Sequence, residues 1–155
     1  MNIASIKLAT REYAAPISEL INSVSNYFTL DPQGLGAEGF LETISTESIL
    51  KYIENPSFYY CICLIEKELA GVIAIKKKTH VFHLFVSPEH QKKGLARLLW
   101  NHALVNVFEL NAVNVVTVNS TPFAVEVYKK FGFKCTGEKI EKNGIAFVPM
   151  KLEKI

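Results

Sequence analysis

The chain has 155 residues, 49% of them apolar, and its 17 basic and 15 acidic side chains leave a formal charge of +2. That length suits one domain with a core of its own, while so small a charge excess excludes an electrostatic case for nucleic acid or an anionic membrane as partner. No apolar run approaches the ~18 residues a membrane span needs, and the N-terminus lacks the charged head and apolar stretch of a signal peptide. Cys61, Cys63 and Cys135 are an odd number without framework spacing. Reduced thiols in a cytoplasmic setting are expected, and no metal, because no His or Cys partner stands at ligand spacing.

Taken in chain order, residues 3–8 alternate as a first strand. Residues 16–28 repeat Ile17, Leu20, Ile21 and Val24 at helical spacing. Residues 31–39, rich in Gly and Pro, read as a loop. Residues 46–53 form a short helix with Thr46 as N-cap, closed by Pro56. Three strands follow over 58–65, 69–75 and 79–86, and Lys76-Lys77-Lys78 reads as a charged strand end that guards against edge pairing. An amphipathic helix runs from about residue 94 to 108, with Leu99, Ala103 and Val107 in one row. After a strand over 113–118 comes a helix over 121–131, with Thr121 as N-cap, Pro122 at the first position and Gly132 past its end. Strands near 133–140 and 145–152 flank Asn143-Gly144, a hairpin signal, and Pro149 marks an edge or a bulge. The expected fold is α/β (α+β): a single domain over 1–155, with a mixed central sheet of about seven strands and four helices spread over both faces.

The segment LFVSPEHQKKGLARLLW, residues 84–100, carries the chemistry. A strand ends, a short loop follows, and a helix opens at Gly94 with Lys92, Lys93 and Arg97 crowded at its start. Cations are the wrong sign for a helix N-terminus, whose N–H groups carry positive partial charge. An anion at that point removes the conflict, and free N–H groups with several cations make a phosphate or pyrophosphate cradle. On charge alone the lysines would suit a solvated loop. The spacing is neither that of a Walker loop nor that of a dinucleotide fingerprint.

Gln91-Lys92-Lys93-Gly94-Leu95-Ala96 resembles the Q/R-x-x-G-x-G/A signature of the GNAT acyltransferases. VNSTPFAVEVYKKFGF, residues 118–133, is similar to a later motif of that family, and GIAFVPMKL, residues 144–152, to the tail of one of its branches. The resemblance implies an acyl-CoA-dependent N-acetyltransferase that uses acetyl-CoA as co-substrate. Phe85 and Val86 would hold the pantetheine arm, and Gln91, Lys92, Lys93, Gly94, Leu95, Ala96 and Arg97 would wrap the pyrophosphate. Asn119 would stand where two central strands part, Ala124 would leave room for the cofactor, and Tyr128 would protonate the departing thiolate. Where many members have a Glu, six residues before Val86, this chain has His80, a candidate base with an ordinary pKa of about 6.5. His83 is the second candidate, and strand alternation puts it on the opposite face unless a bulge intervenes. Residues 27–42, with Tyr27, Phe28, Asp31, Glu38, Phe40 and Glu42, would contribute to the acceptor pocket. The expected partners are acetyl-CoA and an amine, on a small molecule or on a protein Lys or N-terminus, with no nucleic acid and no membrane. The protein is expected to be a monomer or homodimer. A non-catalytic acyl-CoA sensor is the alternative of a different class.

Overall fold

A computed structural model describes residues 3–153. Four antiparallel strands lie side by side: β1 (Ala4–Leu8), β2 (Phe58–Ile65), β3 (Glu68–Lys76) and β4 (His80–Val86). Next to them β5 (Val115–Ser120) runs parallel to β4 and pairs antiparallel with β8 (Ile145–Glu153). Two short strands, β6 (Lys134–Cys135) and β7 (Ile140–Lys142), both pair with β8. The helices are α1 (Ala14–Ser23), α2 (Glu38–Glu42), α3 (Thr46–Glu54), α4 (Leu95–Ala103) and α5 (Val125–Phe131).

Strand alternation assigns the two faces. On β2, Cys61, Cys63 and Ile65 point to the side covered by α4 and α5, where they meet Leu99, Trp100 and Phe108. Tyr60 and Ile62 point to the other side, which α1 and α3 cover with Ile17, Ile21 and Ile49. Because β2 and β3 are buried on both faces, their sequences read as continuous apolar runs.

Several local features differ from the sequence expectation. Ser45 rather than Thr46 caps α3, since its Oγ accepts the Ser48 N–H at 3.2 Å. The Gly/Pro-rich loop ends in α2, and the strand expected over 133–140 divides into β6 and β7. The helix expected over 16–28 closes at Ser23 and is followed by a 3₁₀ turn, Ser25–Tyr27. Lys77 and Lys78 form the β3–β4 turn with φ of 51° and 65°, so they serve a hairpin inside the sheet rather than a free edge. Pro149 also lies inside the sheet, opposite Asn119. Its carbonyl accepts Thr136 N–H at 2.9 Å, so its backbone polar groups face β6 and no ladder bond to β5 is lost.

The loop after α1 is tied to the β7–β8 hairpin. Leu30 N–H donates to Gly144 O and Ala146 N–H to Phe28 O, at 2.9 and 2.8 Å. Gly144 has φ +78°, and a Cβ there would collide with the backbone of Gly36. Glycine is therefore required at this crossing for conformation and for space.

A bulge in β4 decides where its side chains point. Ala74 pairs with His83 but Ile75 with Val81, which leaves Phe82 as the extra residue. Phe82 and His83 consequently both face α1 and α3, their rings stacked 4.3 Å apart. His80 bonds Thr117 and lies on this same side, because its neighbour Val81 points to the α4 face. The expected placement of His80 and His83 on opposite faces does not hold.

His83 shares a 2.8 Å hydrogen bond with the Tyr60 hydroxyl in the interior, and burial pushes its pKa down to about 3. The unfolded chain, with His near 6.5, takes up a proton that the folded protein refuses. The resulting stability is complete above about pH 6.5 and is lost as pH falls through that window toward 3, by up to about 1.4 kcal/mol per pH unit. His83→Phe should flatten the melting-temperature profile between pH 6.5 and 4. A slope equal to that of the wild type would assign the acid sensitivity to other groups.

Candidate active site

The site exists because β4 and β5 part company. They pair only at His80–Thr117 and Val81–Val118, helped by Thr117 N–H donating to Thr79 O at 2.9 Å. Past that point β4 continues with β3 up to Gly71–Val86, and β5 with β8 up to Ser120–Val148. The facing edges of the two strands diverge, and between them lies a cleft of about 650 Å³.

At one end of the cleft is the turn from β4 into α4. Gln91 braces it: its Nε2 donates to Val86 O at 3.1 Å, and its Oε1 accepts the Tyr27 hydroxyl at 3.3 Å. Lys92 and Gly94 both have left-handed backbone, with φ of 62° and 82°. A Cβ on Gly94 would meet no atom within 4 Å. Leu98 N–H bonds Gly94 O at 3.1 Å, whereas the amides of Leu95, Ala96 and Arg97 precede the first intrahelical bond and have no partner within the helix. Arg97 donates to Lys130 O at 3.2 Å, and its guanidinium lies 5.0 Å from the Phe131 ring centre, which fixes a cation between α4 and the end of α5. Free amides beside Lys92, Arg97 and Lys130 suit an anion.

The walls of the cleft come from both strands and from α5. Phe85 and Val86 line the β4 side, and Asn119 the β5 side. Thr121 caps the turn before α5 by accepting Ala124 N–H at 3.2 Å. Ala124 and Tyr128, four residues apart, then face the cleft together. Tyr128 is only 4% exposed, its ring set edge-on to Phe131 and Phe133 at 6.0 and 5.4 Å. Burial pushes its hydroxyl pKa well up, so it stays protonated across the physiological range.

The structure thus gathers Phe85, Val86, Gln91, Lys92, Gly94, Leu95, Ala96, Arg97, Asn119, Ala124 and Tyr128 around one space. Lys93 is exposed and does not line it. Neither His80 nor His83 lines it. His80 is half-buried and its Nδ1 is 2.8 Å from Thr117 Oγ1. Burial first, and then the nearby Lys76 charge, lowers its pKa and keeps it neutral.

Phe82 and Phe123 also line the cleft, and sequence reasoning missed both. Phe82 owes its direction to the bulge, which period-two counting cannot foresee. Phe123 follows Pro122 in the capping turn and is 71% exposed, with its ring 5.2 Å from that of Tyr27. An exposed aromatic in a cap was the available signal. Of the acids expected near the acceptor, Asp31 accepts the N–H groups of Gln33 and Leu35, and Glu38 that of Gly36, outside the cleft.

Comparison with known proteins agrees with this geometry. Residues 28–154 match the family model described as an acetyltransferase (GNAT) domain. The chain is 28% identical over 146 residues to the spermidine N(1)-acetyltransferase of Escherichia coli, covering 86% of this chain and 75% of that protein. It is 29% identical over 85 residues to the spermidine N(1)-acetyltransferase of Vibrio cholerae, a match that spans 50% of this chain and about half, 49%, of that protein. The structure resembles the PaiA N-acetyltransferase of Thermoplasma acidophilum, solved in complex with coenzyme A, with a TM-score of 0.77. That alignment has 17% identity and covers 97% of this chain and 99% of the other. With the family model spanning most of its length, the chain belongs to the GNAT acetyltransferase family.

Proposed function

We propose that this chain, an acetyl-CoA-dependent N-acetyltransferase, moves the acetyl group directly from the thioester to a primary amine. The observation that carries the reading is the cleft between β4 and β5, which joins an anion cradle at Gly94 to the hydroxyl of a largely buried tyrosine on α5. The pyrophosphate would take the amides and cations around residues 92–97. The pantetheine amides would pair with backbone groups of β4 that face the cleft beyond the last β5 pair, such as those of Val86, whereas the carbonyl of Phe85 faces β3.

In the reaction the amine nitrogen attacks the thioester carbonyl carbon, forming the C–N bond as the C–S bond breaks. The leaving sulfur takes a proton from Tyr128, whose hydroxyl is protonated at physiological pH. The proton lost by the amine passes through water to a base. His80 suits this role better than His83, because it is only half-buried, whereas His83 is sealed against Tyr60. The same reading treats residues 1–155 as one domain, since one sheet links β1 to β8. We place the protein in the cytoplasm on the ground of three free cysteines, Cys61, Cys63 and Cys135. No helix among the described residues is long and apolar enough to cross a membrane.

Acetyl-CoA at one hundred times its dissociation constant should stabilise the protein by about 2.7 kcal/mol, read as a rise in melting temperature. An unmoved melting curve would overturn the central claim. Gly94→Val should raise the KM for acetyl-CoA far more than it disturbs folding. Its side chain would enter the empty space of the cradle, and the left-handed backbone would add a strain of about 1–2 kcal/mol. Unchanged affinity in a folded variant would exclude this loop as the phosphate site. Tyr128→Phe should lower kcat and kcat/KM together by roughly ten to a few hundredfold, with acetyl-CoA binding intact. Equal kcat without a pre-steady-state burst would remove Tyr128 from the chemistry.

A further inference from the structure

The two ends of the cleft differ in chemistry. Lys92, Arg97 and Lys130 gather where the phosphates would lie, yet among the described residues no Asp or Glu lines any part of it. At the other end, where β4 and β5 last pair, the cleft is framed by Val81, Phe82 and Val118, with Asn119 as a neutral polar group. Two of the acids expected near the acceptor hold backbone turns instead. Asp31 holds two backbone amides at 2.9 and 3.1 Å, and Glu38 holds Gly36 N–H at 3.1 Å.

The fixed charge beside this apolar end is positive. Lys76 Nζ lies 5.7 Å from the centre of the Phe82 ring and 5.8 Å from that of Phe58. An aromatic wall can attract an ammonium, but the ring of Phe82 is already engaged by one. A polyamine would bring two or more further ammonium groups into this space with no carboxylate to pair them, and burying an unpaired charge is costly. An amine on an apolar framework meets no such penalty: its carbon skeleton packs on Phe82 and the neighbouring valines, and its single nitrogen enters neutral for attack.

We infer that the acceptor is a primary amine on an apolar or aromatic framework with no second positive charge, unlike the spermidine named for the two curated relatives. This inference rests on the acetyltransferase reading given above. The test is CoA release from acetyl-CoA with 2-phenylethylamine and hexylamine on one side, and spermidine and putrescine on the other. Acetyl-CoA binding is followed in parallel by melting. The expected kcat/KM for the apolar amines exceeds that for spermidine by about tenfold or more. Lys76→Glu, which puts an acid beside Phe82, should move that ratio toward spermidine, and its melting temperature shows whether the variant folds. A wild type that prefers spermidine or putrescine overturns the inference, as does failure to acetylate either apolar amine while acetyl-CoA still raises the melting temperature. Loss of the acetyl-CoA effect itself would overturn the acetyltransferase reading along with it.

Discussion

Everything in this structure that can do chemistry depends on two parallel strands being allowed only two residue pairs. After Val81 and Val118, β4 stays with β3 and β5 stays with β8, and the ladder between them ends in the middle of the sheet. Unpaired backbone groups inside a protein are normally costly. Here they border a cleft, where a ligand with its own amides can replace the missing strand. The antiparallel partners on either side keep the opening from closing. Each of the diverging strands is already satisfied along its outer edge, so neither gains by bending toward the other.

The opening also sets where the helices must start. α4 begins at the end of β4 and α5 at the end of β5, so both N-terminal turns arrive at the same end of the cleft. Left-handed Lys92 and Gly94 turn the chain sharply enough for the first amides of α4 to point into that space. A lysine in that conformation is strained, and such strain at a site persists only where surrounding contacts enforce it. Gln91 supplies the brace by bonding Val86 O on one side and Tyr27 on the other. The cradle is therefore fixed by a strand end, a helix start and the turn after α1 together.

Much of this was legible in the sequence, for reasons that are local. The cap Thr121 with Pro122 and Gly132, the Asn143-Gly144 turn and the cation-rich helix start at Gly94 each act within a few residues, and the structure has them all. What stayed hidden is non-local. The bulge at Phe82 arises from how β3 and β4 pair, and it alone brings His83 to the same face as His80. The brief helix α2 lies in a segment whose Gly and Pro content signals a loop, and it is held by Phe40 packing on Phe28 and by Ser48 and Tyr52 hydroxyls donating to Glu42 O and Thr43 O. Asp31 and Glu38 looked like charges free for an amine, but their spacing to Gln33, Leu35 and Gly36 makes them caps for backbone turns.

Those commitments bear on how one cleft can serve two unlike substrates. The cofactor brings phosphates, and cations with free amides meet them at one end. The amine must reach the thioester neutral, since a protonated nitrogen has no lone pair to attack. A carboxylate beside it would stabilise the ammonium and raise its pKa, which slows the step that matters. If the acceptor enters the apolar end, Phe82 with Lys76 behind it and a neutral His80 on the same face would bias the amine the other way. That bias would lower the cost of losing the proton before attack, and that cost would otherwise add to the barrier. The absence of acids from the lining and the burial of Tyr128 then act in one direction. On the proposed mechanism the nucleophile would be kept unprotonated while Tyr128 keeps its proton, and both would follow from removing water and negative charge from the same narrow space.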